Sequence, residues 1–133
     1  MRSFVNAFSS GRRRVLSALT LAALPTLARA ELVNIAWNAA GRFETEMSVA
    51  PGKLAEVCGP LAPGQSVTWS FKADAPMNFN VHHHAGKQVV FAAQQDATAE
   101  AQGQLDVSLA QDYCWMWTNK GTSPATLRLT LKR

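Results

Sequence analysis

The residues after position 30 predict an all-β fold, an antiparallel β-sandwich of jelly-roll type with about seven to nine strands. Three observations carry that expectation. Apolar and polar residues alternate with a period of two, as in Val67, Trp69 and Phe71 against Ser66, Thr68, Ser70 and Lys72. Turn residues punctuate the chain at short intervals, among them Pro51-Gly52, Gly59-Pro60, Pro63-Gly64 and Asn119-Lys120-Gly121. No convincing amphipathic helical stripe occurs in this region.

Each segment is read from its own alternation. Residues 31–40 are ambiguous, because Val33, Ile35 and Trp37 fit either an edge strand or a leading arm. In 43–49, Phe43, Met47 and Val49 alternate with Glu44, Glu46 and Ser48, a half-buried strand. A second strand over 53–58 should end at Gly59-Pro60. The clearest strand is 66–73, and Asp74-Ala75-Pro76 should break it. Residues 77–84 follow, with Met77, Phe79, Val81 and His83 on one parity and Asn78, Asn80, His82 and His84 on the other. Ala85-Gly86-Lys87 reads as a hairpin turn before a strand at 88–91. The polar, Ala-rich segment 92–102 reads as a loop or short helical turn. Residues 104–109 alternate again, with Leu105, Val107 and Leu109 on one face. The aromatic strand 113–118 has Tyr113, Trp115 and Trp117 on one face and Cys114 and Met116 on the other. Residues 126–131 complete the domain, burying Leu127, Leu129 and Leu131.

The first 30 residues have the three parts of an export signal. Arg2, Arg12, Arg13 and Arg14 form a basic start with no acidic residue. An apolar run from 15 to 27 follows, then Ala28-Arg29-Ala30, a small-x-small cleavage site. That run is shorter than the about 20 residues a spanning helix needs, so no stable membrane anchor is expected after cleavage. Arg12-Arg13-Arg14-Val15-Leu16 also fits a twin-arginine signal, the competing reading being an ordinary Arg-rich leader. The expected division is therefore 1–30 signal peptide and 31–133 a single domain, exported to the periplasm or beyond.

Cleavage would invert the charge. The whole chain carries a formal net charge of +4, but residues 31–133 hold eight Lys and Arg against nine Asp and Glu. No basic patch survives to hold a nucleic acid. Cys58 and Cys114 are the only cysteines, and in an oxidising compartment they read as one disulfide. The competing reading is thiolate ligation of a metal.

All three histidines are consecutive, His82, His83 and His84. On a strand His82 and His84 share a face, beside Asn78 and Asn80, and two imidazoles so placed form half a copper or zinc site. Met77 is a candidate further ligand, with Met47, Met116 and Asp74 behind it; sulfur would favour Cu(I). The competing reading is a solvated His pair with His83 packed in the core. A blue-copper centre is not expected, since no His follows Cys114. Trp69, Trp115 and Trp117 are candidate ligand-binding residues if one sheet face stays open, and core residues otherwise. The aromatic run 113–117 should pack around the disulfide. No G-x-S-x-G, H-E-x-x-H or Cys-His arrangement is present, so no catalytic residue is assigned.

With Cys58, Tyr113-Cys114-Trp115 and Asn119 in view, the chain resembles the GOLD domain, the β-sandwich of luminal cargo receptors and lipid-traffic proteins. Members of the receptor type carry an early-strand Cys and a late Cys within an aromatic segment ending in Asn, joined by a disulfide. The match would run from about Cys58 to Leu131. The chain departs from the pattern in having Tyr113 directly beside Cys114, and in the absence of a spanning helix or coiled coil after the domain. The resemblance therefore implies a sandwich, a Cys58–Cys114 disulfide and a habit of binding other molecules, with no cargo-receptor role and no reaction.

These readings converge on a non-enzymatic, exported binding or accessory module that recognises a protein or small ligand. The alternative is a copper or zinc protein built on His82 and His84.

Overall fold

The computed structural model describes residues 31–133; the expected leader, with its twin-arginine-like motif and expected cleavage site, lies outside the described residues. Seven strands account for the domain: β1 (Glu31–Asn34), β2 (Arg42–Val49), β3 (Leu54–Leu61), β4 (Ser66–Ala85), β5 (Gln88–Asp106), β6 (Gln111–Thr118) and β7 (Ala125–Lys132). The fold is all-β, as the alternation predicts. Every pairing is antiparallel except that of β1 with β3.

β4 organises the rest. Its first half pairs with β7, from Thr68–Lys132 to Ala73–Leu127. Its second half pairs with β6, from Asn78–Thr118 to His83–Tyr113. Along its other edge it pairs with β5 over nearly its whole length. One half of the long β4–β5 ribbon thus extends a sheet ordered β2-β7-β4-β5, and the other half a sheet ordered β1-β3-β6-β4-β5. The two sheets pack face to face. The rings of Phe71 in one and Trp117 in the other meet edge to face at 5.4 Å.

The exchange of partners corrects the reading of Asp74-Ala75-Pro76 as a break. The register shifts between Lys72 and Met77, but the strand continues and turns the corner between sheets. Asp74 accepts a 2.8 Å bond from the Thr126 amide at this corner. Opposite it, Ala97 adopts φ 49° and donates its amide to Asn78 Oδ1.

Further corrections concern strand length. The 92–102 segment is neither loop nor helix but the middle of β5, because its backbone groups find partners along β4 that local propensity cannot reveal. β3 runs through Gly59-Pro60 to Leu61, the proline lying opposite Asp112. β5 ends at Asp106, and Leu109 is exposed. The start of the 31–40 segment is a short edge strand. Val33, Ile35 and Trp37 then pack on the core margin.

The core comes from the inward parities. Trp115, Trp117, Phe79, Met77, Met47 and the leucines of β7 are among its fully buried side chains. Trp69 lies against the backbone of Gly103 on β5, where an added Cβ would stand 2.5 Å from the indole ring. The indole N–H groups of Trp115 and Trp117 have no acceptor among the described residues. Each such donor costs about 1–3 kcal/mol, which the apolar area of a buried indole offsets.

The disulfide joins Cys58 of β3 to Cys114 of β6, directly opposite in register with Cα atoms 4.2 Å apart. It sits on the outer face of its sheet. Tyr113, Trp115 and Trp117 point the other way, so the aromatic run packs the interior and not the disulfide. Among the described residues there is no free cysteine. Because the crosslink closes a separation of 56 residues, loop entropy assigns it about 4 kcal/mol. Native protein should show no titratable thiol. Reduction should lower the melting temperature by well over ten degrees, about 2–4 kcal/mol allowing for residual structure in the unfolded chain.

Asn119 ties the opposite end together. It is buried, and its Nδ2 donates to the carbonyls of Val49 and Ser123 at 2.8 Å each. Its Oδ1 accepts from the Gly121 amide, and its backbone pairs with Gly52 and Lys53. One side chain thereby joins the end of β2 to the β6–β7 loop. Asn119→Ala should leave three polar groups without partners and cost about 2–4 kcal/mol, a melting shift of roughly 10–20 °C in a scanning calorimeter.

Candidate functional site

Two features of the β3-β6-β4-β5 sheet, one on its outer face and one at its projecting end, stand apart from packing. The first is a polar cluster around His82. The register lines up Cys58, Cys114, His82 and Phe91 across four strands. The next row holds Glu56, Met116 and Asn80. His82 therefore lies beside the disulfide and is only 4% exposed, although it belongs to the polar parity of β4. Its cover comes from Phe91, with ring centroids 6.1 Å apart, and from His84 at 5.2 Å.

Both nitrogens of His82 face oxygen. Nδ1 lies 2.7 Å from Asn80 Oδ1, and Nε2 lies 3.3 Å from Glu56 Oε1. Burial pushes the imidazole below its ordinary range; the Glu56 carboxylate pulls it back up, and His84 and His83 push it down again. The Glu56 carboxylate also lies within 4.8 Å of both half-cystine sulfurs. Those sulfurs are bonded to each other and offer no thiolate.

The candidate ligands scatter. His84 shares the face of His82, as alternation predicts, but is exposed. His83 points inward and packs on Tyr113 at 5.1 Å. Met77 is fully buried on the opposite face of β4, so it cannot meet His82 and His84; Met47 is likewise buried in the core. Asp74 is occupied at the corner. Trp69, Trp115 and Trp117 are all buried in the core and present no ring to the outer face. Asn80 orients His82 and Asn78 caps Ala97, so both serve local structure. Sequence reasoning missed Glu56. Its parity with Cys58 was visible, but nothing local places β3 two strands away from β4.

The second feature is the tip of the β4–β5 ribbon. Residues 84–92 are all exposed, so the hairpin projects past the core. Val89, Val90 and Phe91 there are 43%, 41% and 47% exposed. β5 pairs only with β4, leaving its other edge free, and residues 88–95 contain neither a charge nor a proline. Edge strands in soluble proteins are ordinarily guarded by such residues.

Elsewhere among the described residues the surface carries open grooves. Two of them, about 550 and 610 Å³, lie over β4, β5 and β7. Side chains such as Thr68, Ser70, Gln104 and Lys132 line the first; Lys72, Glu100 and Arg128 line the second. Neither assembles a nucleophile with a base.

No family model matches this chain, and no curated protein matches it in sequence. The likeness lies in structure alone. A periplasmic inhibitor of g-type lysozyme from Aeromonas hydrophila, PliG, superposes with a TM-score of 0.61 at 14% identity, covering 78% of this chain and 96% of the other. The pre-peptidase C-terminal domain of a Bacillus anthracis collagenase gives 0.58 at 16% identity, covering 80% and 100%. The PliG of Salmonella Typhimurium gives 0.53 at 5% identity, covering 77% and 97%. The domain shares their β fold. These neighbours support the sandwich; the GOLD resemblance finds no counterpart among them.

The burial of His82 makes the stability of the fold depend on pH. Its folded value lies below the ordinary 6.5, so on acidification the unfolded chain takes up that proton first. The associated stability is complete above about pH 6.5 and is lost as the pH falls through the folded value. The melting temperature should therefore be lower at pH 5.5 than at pH 7.5, and His82→Gln should shrink the difference.

Proposed function

We propose that this domain is a non-catalytic, exported protein-recognition module that seats the tip of its β4–β5 ribbon in a cleft of another protein. One observation carries the reading. Three consecutive apolar side chains stand exposed on a free, uncharged edge strand at the end of a projecting hairpin. Left bare, such an edge invites association. Covered by a partner, it supplies both backbone pairing and apolar anchors.

The compartment agrees with this reading. The leader resembles an export signal, and the disulfide suits an oxidising space. Two of the structural neighbours are periplasmic inhibitors of g-type lysozyme and the third is a domain of a collagenase, which makes secreted hydrolases the first partner class to try. The grooves over β4, β5 and β7 are open and not enclosed, which suits a small apolar ligand poorly.

The test titrates the purified, disulfide-bonded domain into g-type lysozyme and other cell-wall hydrolases, following heat and peptidoglycan clearance. At least one should bind with Kd below about 10 µM. Val90→Lys, at an exposed position opposite His83 in register and not part of the cover of His82, should weaken that complex at least roughly tenfold while leaving the melting temperature nearly unchanged. A complex indifferent to Phe91→Asp and to Val90→Lys would show that the tip is not the docking element. Absence of binding across the panel removes hydrolases as the partner class.

A further inference from the structure

We infer that His82 Nε2 and Glu56 Oε1 form a chelating edge for a single divalent transition metal of the zinc or copper(II) class, next to the disulfide. The inference does not rest on the docking of the hairpin tip. It pairs His82 with Glu56, a partner created by register, where the sequence suggested a pair with His84.

The argument starts from Asn80. Its Oδ1 lies 2.7 Å from His82 Nδ1 and can only accept, so Nδ1 carries the proton. A neutral imidazole with that tautomer presents the Nε2 lone pair on its other side. What it meets there is the carboxylate oxygen of Glu56, 3.3 Å away. A lone pair and a carboxylate repel unless a cation lies between them. Proton bridges between charged partners are usually about 2.7–2.9 Å long, shorter than this separation. Two first-row ligand atoms on one tetrahedral metal, with bonds of about 2.0–2.1 Å, stand about 3.3 Å apart.

The surroundings have the form of a metal's outer shell. A ligating histidine characteristically donates its second N–H to a neighbouring oxygen, which fixes ring orientation, and Asn80 does this here. His82 is immobilised by burial and by Phe91, so little ordering remains to be done on binding. Glu56 is 23% exposed at its side chain, which leaves an entry path and room for water ligands. Met116 occupies the register position between Glu56 and Asn80 on the same face. The oxidised cysteines are excluded as thiolate ligands, and the chelating pair itself is one imidazole nitrogen and one carboxylate oxygen, a set that directs the site to Zn²⁺ or Cu²⁺ over Cu(I).

The experiment uses the full 31–133 domain with its disulfide intact, stripped of metal, and titrates Zn²⁺ by calorimetry. Parent protein should bind one equivalent, with the His82 Nε2 resonance shifting in a nitrogen NMR spectrum while Nδ1 stays protonated. Glu56→Gln, conservative and only partly buried, should lose at least roughly tenfold in affinity, His82→Gln should lose the site, and His84→Ala should stay within about threefold of parent. Three results overturn the inference: no stoichiometric binding by the parent, Glu56→Gln binding as tightly as the parent, or dependence on His84 in place of Glu56. If His82→Gln proves unstable, the unperturbed fold of Glu56→Gln keeps the second criterion decisive.

Discussion

The exchange of partners along β4 is the constraint on which the domain depends. A single strand of 20 residues, Ser66–Ala85, lies beside β7 for half its length and beside β6 for the other half. Both sheets therefore inherit their register from one strand. A slip of one residue anywhere along it would turn Trp69, Phe71, Met77 and Phe79 outward together, which is why its alternation is strict on both sides of the corner. β5 follows it as an edge along both sheets, and Trp69 lying against Gly103 shows how closely the two backbones must approach.

Two staples hold what β4 arranges. Asn119 joins the β2 and β6–β7 ends through hydrogen bonds made inside the protein, where an unpaired group is expensive. The disulfide holds β3 to β6 on the outer face, distant in sequence and adjacent in space. A domain of about a hundred residues buries a limited share of its surface, so devices of this kind make up for a modest core. The disulfide also shapes its surroundings, since it occupies the row that His82 completes.

The outer face carries polarity where the inner face carries packing. His82 is the exception, a polar-parity residue shielded by Phe91 and His84 rather than by the core. Phe91 thus touches both features of the site. Its ring covers His82 from one side and stands in solvent on the other, so a partner seated on the hairpin tip would deepen the burial of the imidazole. The tip itself has few neighbours and a free edge, features of the least stable part of a fold and of the part most available to a partner.

The alternation of Val67, Trp69 and Phe71, of Phe79 and Val81, and of Leu127, Leu129 and Leu131 sufficed to establish an all-β fold and its core, because side-chain direction on a strand is a local property. The two cysteines, and the sharing of a face by His82 and His84, were legible for the same reason. What local pattern could not express is which strands become neighbours. The Ala-rich segment 92–102 has no strand signature of its own and is a strand only because β4 offers it partners. Met77 and His82 lie five residues apart yet on opposite faces, and Glu56 reaches His82 across β6. Those meetings are set by long-range hydrogen-bond register, whose energy lies between segments and not within them. The sequence alone determined the faces; the tertiary structure decided which faces meet.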